Sequence, residues 1–232
     1  MTPKLIALDL DETTLDRESR LSPRNRAALE RAMAKGVEIV VATGRPMGTV
    51  PREIRELPGL RYAITGNGAA VYDMAAETVL LQHRVPETAV EQILALTRGE
   101  NVTLEVFIQG QGYAQADYIR HPEKFMADAQ TVQHVQTTRN PVEDILQFAG
   151  EHRRELESMD LVVADLETKQ RMRRLLDQVG GVYITTSVPR LLEISNAACG
   201  KHRGLEFVAG LLGVAQQETA AFGNADNDAE ML

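Results

Sequence analysis

The first 65 residues alternate short apolar runs with longer helix-patterned stretches, and this rhythm restricts the fold more than any other property of the chain. Lys4-Leu5-Ile6-Ala7-Leu8 is an apolar run that reads as a buried strand. Ser22 and Pro23 suit the N-cap and first position of a helix over residues 24–34, and Gly36 ends it. Val37-Glu38-Ile39-Val40-Val41-Ala42 reads as the next strand. Residues 46–56 predict a short helix made irregular by Pro51, and residues 62–65 a third strand. A β-α-β-α-β order predicts an α/β fold with a doubly wound, mostly parallel sheet.

The rhythm then breaks. Gly66-Asn67-Gly68 reads as a turn, followed by a hairpin over 69–72 and 78–82. Next come a helix at 86–97, a strand at 102–108 and a further strand from Tyr113. Helices are expected at 122–129 and 141–148, a strand at 161–164, a helix at 167–179 and paired strands at 182–186 and 190–194. This mixed pattern predicts an α+β domain inserted into the first one. After it the first pattern returns, with a helix at 201–212, a strand at 219–222 and an acidic loop at 223–228. A helix beginning at Asp228 is cut off by the chain end, which predicts a C-terminally shortened chain. The expected division is 1–84 and 190–232 for the core and 85–189 for the insertion.

Composition narrows the function classes. The net charge of -8 argues against a protein that grips nucleic-acid phosphates, which needs a basic footprint. No apolar stretch approaches the ~20 residues of a membrane span. The single cysteine, Cys199, excludes an intramolecular disulfide and reads as a small packed side chain. The N-terminus lacks a signal-peptide pattern. Together these predict a cytoplasmic protein with no nucleic-acid or membrane partner. The five histidines are scattered without ligand spacing, so no zinc site is expected.

The chemistry concentrates in four segments. Asp9-Leu10-Asp11 with Thr13 follows the first strand, so two carboxylates lie at the sheet edge where open α/β folds bind ligands. Acids this close repel unless a cation or a shared proton compensates, and a divalent metal is the simplest solution. Thr43-Gly44-Arg45 ends the second strand, Lys201 opens the late helix, and Gly223-Asn224-Ala225-Asp226-Asn227-Asp228 follows the last strand. In this order the segments resemble the four motifs of the haloacid dehalogenase-like phosphatases. The large insertion between the second and third resembles the cap of the Cof-type branch, on a Rossmann-like core. Gly204-Leu205 and Asn227-Asp228-Ala229-Glu230-Met231-Leu232 strengthen the likeness.

The resemblance implies a magnesium-dependent phosphatase for small phosphorylated metabolites such as sugar phosphates. A phosphomonoester is doubly negative, so magnesium bridging carboxylates and phosphate screens it for attack. Asp9 is the candidate nucleophile, forming an aspartyl-phosphate. Asp11 is the candidate general acid and then base. Leu10, Thr43, Gly44, Lys201 and Asn227 form the expected phosphate-contacting set. Asp9, Asp11 (through its main-chain carbonyl), Asn224 and Asp228 form the expected metal set. Arg45 reads as a surface ion-pair former, Asp226 as a loop residue, and His202 and Arg203 as solvated residues. A lysine at a helix N-terminus is electrostatically unfavourable, which calls for a nearby anion.

Two residues depart from the family pattern. Glu12 stands where glycine is usual and is expected to point into solvent. Asn224 stands where a magnesium-binding Asp is usual; its amide oxygen can coordinate but brings no charge. Substrate choice is expected in the insertion, from Tyr113, Tyr118, Arg120, His121 and Lys124. Two other readings fit the same fold. One is a phosphomutase or phosphotransferase that shields its aspartyl-phosphate from water. The other is a catalytically weakened phosphate-ligand-binding protein, suggested by Asn224 and Glu12.

Overall fold

A computed structural model describes residues 2–125 and 129–232. The chain divides into two compact units, Met1–Gln82 with Cys199–Leu232, and His83–Ala198.

The first unit is built on a six-stranded sheet in the order β12-β1-β2-β3-β4-β5. Its strands are β1 (Leu5–Leu8), β2 (Glu38–Ala42), β3 (Tyr62–Thr65), β4 (Ala70–Asp73), β5 (Thr78–Gln82) and β12 (Thr219–Phe222). The strands β12, β1, β2 and β3 run parallel; β4 pairs antiparallel with β3, and β5 antiparallel with β4. Successive side chains of β2 serve opposite faces, as the two-residue period of a strand requires. Ile39 and Val41 join a cluster with Leu29 and Met33 of helix α1 (Pro23–Met33). Val40 and Ala42 join Leu205 and Val208 of helix α8 (Lys201–Leu212). A fully buried Val, Leu or Ile among them contributes ~1.5–3 kcal/mol. Burial on both faces explains the continuous apolar run of β2. Gly204 is required where α8 crosses β3, because a Cβ there would lie 2.5 Å from Ile64 Cγ2.

Helix α1 begins as its sequence predicts, with Pro23 at its first turn and Ser22 Oγ accepting from Asn25 N–H at 3.1 Å. The Asn25 side chain in turn donates to Thr14 O at 2.8 Å, tying the helix to the loop after β1. Residues 46–56 do not form one helix. Pro51 interrupts them, leaving a turn at Met47–Thr49 and a short α2 at Arg52–Arg55.

The second unit carries a sheet in the order β10-β11-β9-β6-β7-β8. Its strands are β6 (Val102–Ile108), β7 (Gln111–Gln115), β8 (Arg139–Val142), β9 (Ser158–Val163), β10 (Val182–Thr185) and β11 (Leu191–Asn196). Only the β7–β8 pair is parallel. Helices α3 (Glu87–Thr97), α6 (Ile145–Glu151) and α7 (Leu166–Leu176) contribute to a core with Leu104, Val106, Met159, Leu161 and Ile194. Short α4 (Ala116–Arg120) and α5 (Ala129–Thr138) supply a smaller cluster around Tyr118, Val135 and Val162.

Three expectations shift here. The core was expected to resume at residue 190, but β11 is hydrogen-bonded between β10 and β9, so the unit boundary falls at 198/199. Pro141 does not open a helix: it lies in β8, an edge strand, where a missing N–H is tolerated. The helix starts later, capped by Asp144, whose carboxylate accepts from Leu146 and Gln147 N–H. The helix expected over 122–129 lies partly outside the described residues. Its described portion is a tight turn at Pro122–Lys124. Residues 228–232 make one turn, closed by Leu232 N–H on Asp228 O at 3.2 Å.

Candidate active site

Four parallel strands end at the same sheet edge, so the loops after β1, β2, β3 and β12 gather there. After β1 the chain makes one wide turn, closed by Leu15 N–H on Leu10 O at 2.8 Å. Thr14 Oγ1 fastens this turn by donating to Asp9 O at 2.6 Å. Within it Leu10 is buried in the core, while Glu12 adopts φ +57° with its side chain exposed. The position therefore has the backbone geometry that favours glycine, and the exposure expected for Glu12 is found.

The centre of the site is Lys201, 1% exposed, whose ammonium donates at 2.7 Å to both Asp9 Oδ1 and Asp228 Oδ1. These are the anions that its place at the start of α8 called for. Asp228 is fully buried. Its second oxygen accepts from Asn224 N–H at 3.0 Å and Ala225 N–H at 3.1 Å, so three donors converge on one carboxylate. Gly223 must be glycine here, since a Cβ would lie 2.4 Å from Asp228 Cγ. Asp9 is 5% exposed. Burial raises its pKa above the ordinary carboxylate value; attraction to Lys201 opposes this, and the charges of Asp228 and Asp11 add to it.

Asp11 is held differently. Arg45 Nε and Nη2 grip its two carboxylate oxygens at 2.9 and 2.6 Å. The guanidinium also donates to Ser19 Oγ at 2.8 Å and Thr49 O at 3.1 Å. Arg45 is thus no isolated surface pair, because it fixes the second carboxylate of the first motif. Thr43 is buried, with Oγ1 accepting from Arg45 N–H at 3.1 Å, and Gly44 beside it is half-buried. Asn224 is exposed, and its Oδ1 accepts from Thr13 Oγ1 at 3.2 Å, linking the acidic loop to the first motif. Asn227 is buried, and its Nδ2 donates to Asn67 Oδ1 at 3.0 Å. Asn67 belongs to a loop that the sequence reads only as a turn.

The charged groups Asp9, Asp11, Asp228, Lys201 and Arg45 carry three negative and two positive charges, leaving one negative charge uncompensated. A divalent cation would turn this into one net positive charge, the sign that an anionic phosphate needs. No cluster of three or more His, Cys, Asp or Glu side chains suited to a metal occurs among the described residues. The donors for a hard cation are the Asp9 carboxylate, through the Oδ1 edge that also accepts from Lys201, the Asp11 carbonyl and Asn224 Oδ1. Such oxygen ligands, completed by water, suit magnesium.

The five residues expected to choose substrate do not form one constellation. The Tyr118 hydroxyl is buried and donates to Glu105 Oε1 at 2.8 Å, with burial pushing its pKa far upward. Glu105 also accepts from Arg139 Nε at 2.6 Å. Tyr113 stacks on Phe148 beside the larger cluster, apart from Tyr118. Arg120 and Lys124 pair with Asp117, and His121 with Glu123, at the surface.

Comparison with known proteins identifies the family. A family model described as haloacid dehalogenase-like hydrolase matches residues 6–232. The HMP-PP phosphatase of Klebsiella pneumoniae (strain 342) is 29% identical over 99% of this chain and 80% of its own length. Phosphatase YwpJ of Bacillus subtilis (strain 168) is 27% identical over 99% of this chain and 86% of its own. A haloacid dehalogenase-like hydrolase structure from B. subtilis superposes with a TM-score of 0.84 at 26% identity, covering 99% of this chain and 86% of that one. A HAD subclass IIB sugar phosphatase shares the fold with a TM-score of 0.79 at 21% identity, covering 99% and 84%. No helix among the described residues is long and apolar enough to cross a membrane. With a buried lysine clamped between the first and fourth motifs and a family match across nearly the whole chain, this protein belongs to the haloacid dehalogenase-like hydrolases.

Proposed function

We propose that this chain hydrolyses small phosphomonoesters, with Asp9 as the nucleophile. The observation that carries the proposal is the Lys201 clamp: a buried ammonium holds one oxygen of Asp9 and leaves the other without a hydrogen bond among the described residues. Fixed this way, Asp9 Oδ2 is presented for attack with its charge partly balanced. As Asp9 bonds to phosphorus, the bond to the leaving oxygen breaks and its electron pair stays with that oxygen. Asp11 supplies the proton. To do so it first leaves Arg45 and takes up a proton from solvent, since a carboxylate gripped at both oxygens has no proton to give. In the second half Asp11 takes a proton from water attacking the same phosphorus, and Asp9 departs as a carboxylate.

The Leu10 and Gly44 N–H groups, the Thr43 hydroxyl, the third Lys201 hydrogen and the Asn227 amide are assigned to the phosphate oxygens. Magnesium held by Asp9, the Asp11 carbonyl and Asn224 would supply the remaining positive charge for the phosphate dianion. Asp228 was expected among the metal ligands. Its oxygens already accept from three donors, so we assign it instead to holding Lys201. The relatives' names make HMP-PP and sugar phosphates the first compounds to test.

Asn224 favours a second reading, a weakened enzyme that binds phosphate ligands without efficient turnover. Phosphate release from an aryl phosphate and a metabolite panel, with and without magnesium, separates the two. Magnesium-dependent release that disappears in Asp9→Asn supports the hydrolase. Absence of release by folded wild type, restored in Asn224→Asp, supports the weakened enzyme.

A further inference from the structure

The Gly66-Asn67-Gly68 loop after β3 has no role in the reaction just described, yet it is bonded to three of the segments that carry it. Asn67 N–H donates to Thr43 O at 3.0 Å, and Asn67 O accepts from Gly200 N–H at 2.8 Å, one residue before Lys201. The Asn67 side-chain oxygen accepts from Asn227 Nδ2 at 3.0 Å. Gly66 N–H adds a bond to Arg45 O at 3.0 Å. The backbone of Asn67 is left-handed, with φ +53°, a conformation that asparagine tolerates better than most residues. Gly68 permits the close approach, since a Cβ there would lie 2.3 Å from Gly200 O.

Asn227 makes the arrangement consequential. It is 6% exposed, and its Oδ1 has no hydrogen-bond partner among the described residues. Among the described residues, the bond to Asn67 is therefore the side-chain hydrogen bond that fixes which way the amide faces. Buried polar atoms in folded proteins are nearly always paired, so an unpaired amide oxygen indicates an orientation imposed from the other end of the group. Asn67, itself 5% exposed, imposes it.

We propose that Asn67 is a positioning residue of the phosphate pocket, acting through Asn227. Its side-chain oxygen turns the Asn227 amide so that the second Nδ2 hydrogen is available to a phosphate oxygen. Its main chain spaces the strand end bearing Thr43 from the helix start bearing Lys201. The proposal rests on the phosphatase reading.

The test is Asn67→Gly, which keeps the positive φ and both main-chain bonds and removes only the side chain. It is measured beside wild type, Asn227→Ala and the double variant, for kcat/KM and inhibition by orthovanadate. Losing one orienting hydrogen bond predicts about a tenfold fall in kcat/KM and a similar weakening of vanadate inhibition. The double variant should be no worse than Asn227→Ala alone. A residue that merely supports the fold would lower the active fraction and leave the vanadate constant unchanged. A vanadate constant within twofold of wild type, or additive effects in the double variant, overturns the proposal. Wild type without turnover overturns the phosphatase reading instead. Calorimetric binding of orthophosphate then decides: about tenfold weaker binding by Asn67→Gly sustains the role of Asn67. Equal binding, or none by wild type, overturns it.

Discussion

Asp228→Asn tests the buried clamp with the smallest possible change of shape. Asp228 uses Oδ1 for the Lys201 ammonium and Oδ2 for two backbone N–H groups. Asparagine offers one acceptor and two donors. With its oxygen toward the backbone pair, its NH2 confronts the ammonium; turned over, its NH2 confronts the two N–H groups. Either way donor meets donor in a fully buried place. One unsatisfied buried donor costs ~1–3 kcal/mol, and removing a partner from a buried ion pair costs ~3–5 kcal/mol. Two effects hold the sum down. Asp9 remains as a counter-charge for Lys201, and Asp9 is relieved of the Asp228 charge, a minor contributor to its raised pKa. The expected loss is therefore ~3 kcal/mol, near the low end of the ion-pair range. For a chain of this length that is a fall of ~6–12 °C in thermal midpoint. Circular dichroism melting at pH 7 in metal-free buffer measures it. Gly223→Ala should act through the same carboxylate, because its Cβ would displace Asp228, and should be less than additive with Asp228→Asn. A midpoint shift below about 2 °C for Asp228→Asn would refute the reasoning, since a clamp made of these bonds cannot be lost so cheaply.

Other outcomes follow from the same geometry. Asp9→Asn should abolish turnover yet stabilise the metal-free protein at neutral pH. Because the folded pKa of Asp9 is raised by burial, its favourable contribution is full below the ordinary carboxylate pKa and lost as pH rises through the raised value. The stability gap between variant and wild type should therefore widen from acid to neutral pH, which melts across that range would show. Glu12→Gly should stabilise by about 1 kcal/mol by relieving the φ +57° backbone of an exposed side chain, and a urea midpoint that falls instead would count against it. Asn224→Asp should lower the magnesium concentration for half-maximal activity about tenfold by adding a charged ligand, as a magnesium titration of phosphate release would reveal.

The core sheet was legible because its signals are local. The apolar runs of β1, β2 and β3, the Ser22-Pro23 helix start and the four motif segments all lie where short-range patterns predict. The need of Lys201 for a nearby anion was legible from its place at a helix start, and Asp9, 192 positions away, is one of the anions that meet it. What stayed hidden depends on tertiary partners. Arg45 looks like any surface arginine until Asp11 is found between its nitrogens. Asn67 looks like a turn residue because Thr43, Gly200 and Asn227, to which it is bonded, are distant in sequence; the signal available was an asparagine between two glycines at the end of a parallel strand, beside the other motif loops. Tyr118 looked like a polar contact for substrate, but its hydroxyl satisfies the buried Glu105. Pro141 reads as a helix start, but it lies in edge strand β8 and the helix begins after Asp144; β11 reads as a strand of the core because a strand's own residues do not say which sheet it joins.

The most direct test of the account is to quench the wild-type enzyme during turnover of an aryl phosphate with magnesium and map the modified peptide by mass spectrometry. The account predicts a phosphoryl group on the peptide carrying Asp9, removed by hydroxylamine and absent from Asp9→Asn. Steady phosphate release with no acid-quenched phosphopeptide, or release that persists in Asp9→Asn, would contradict it.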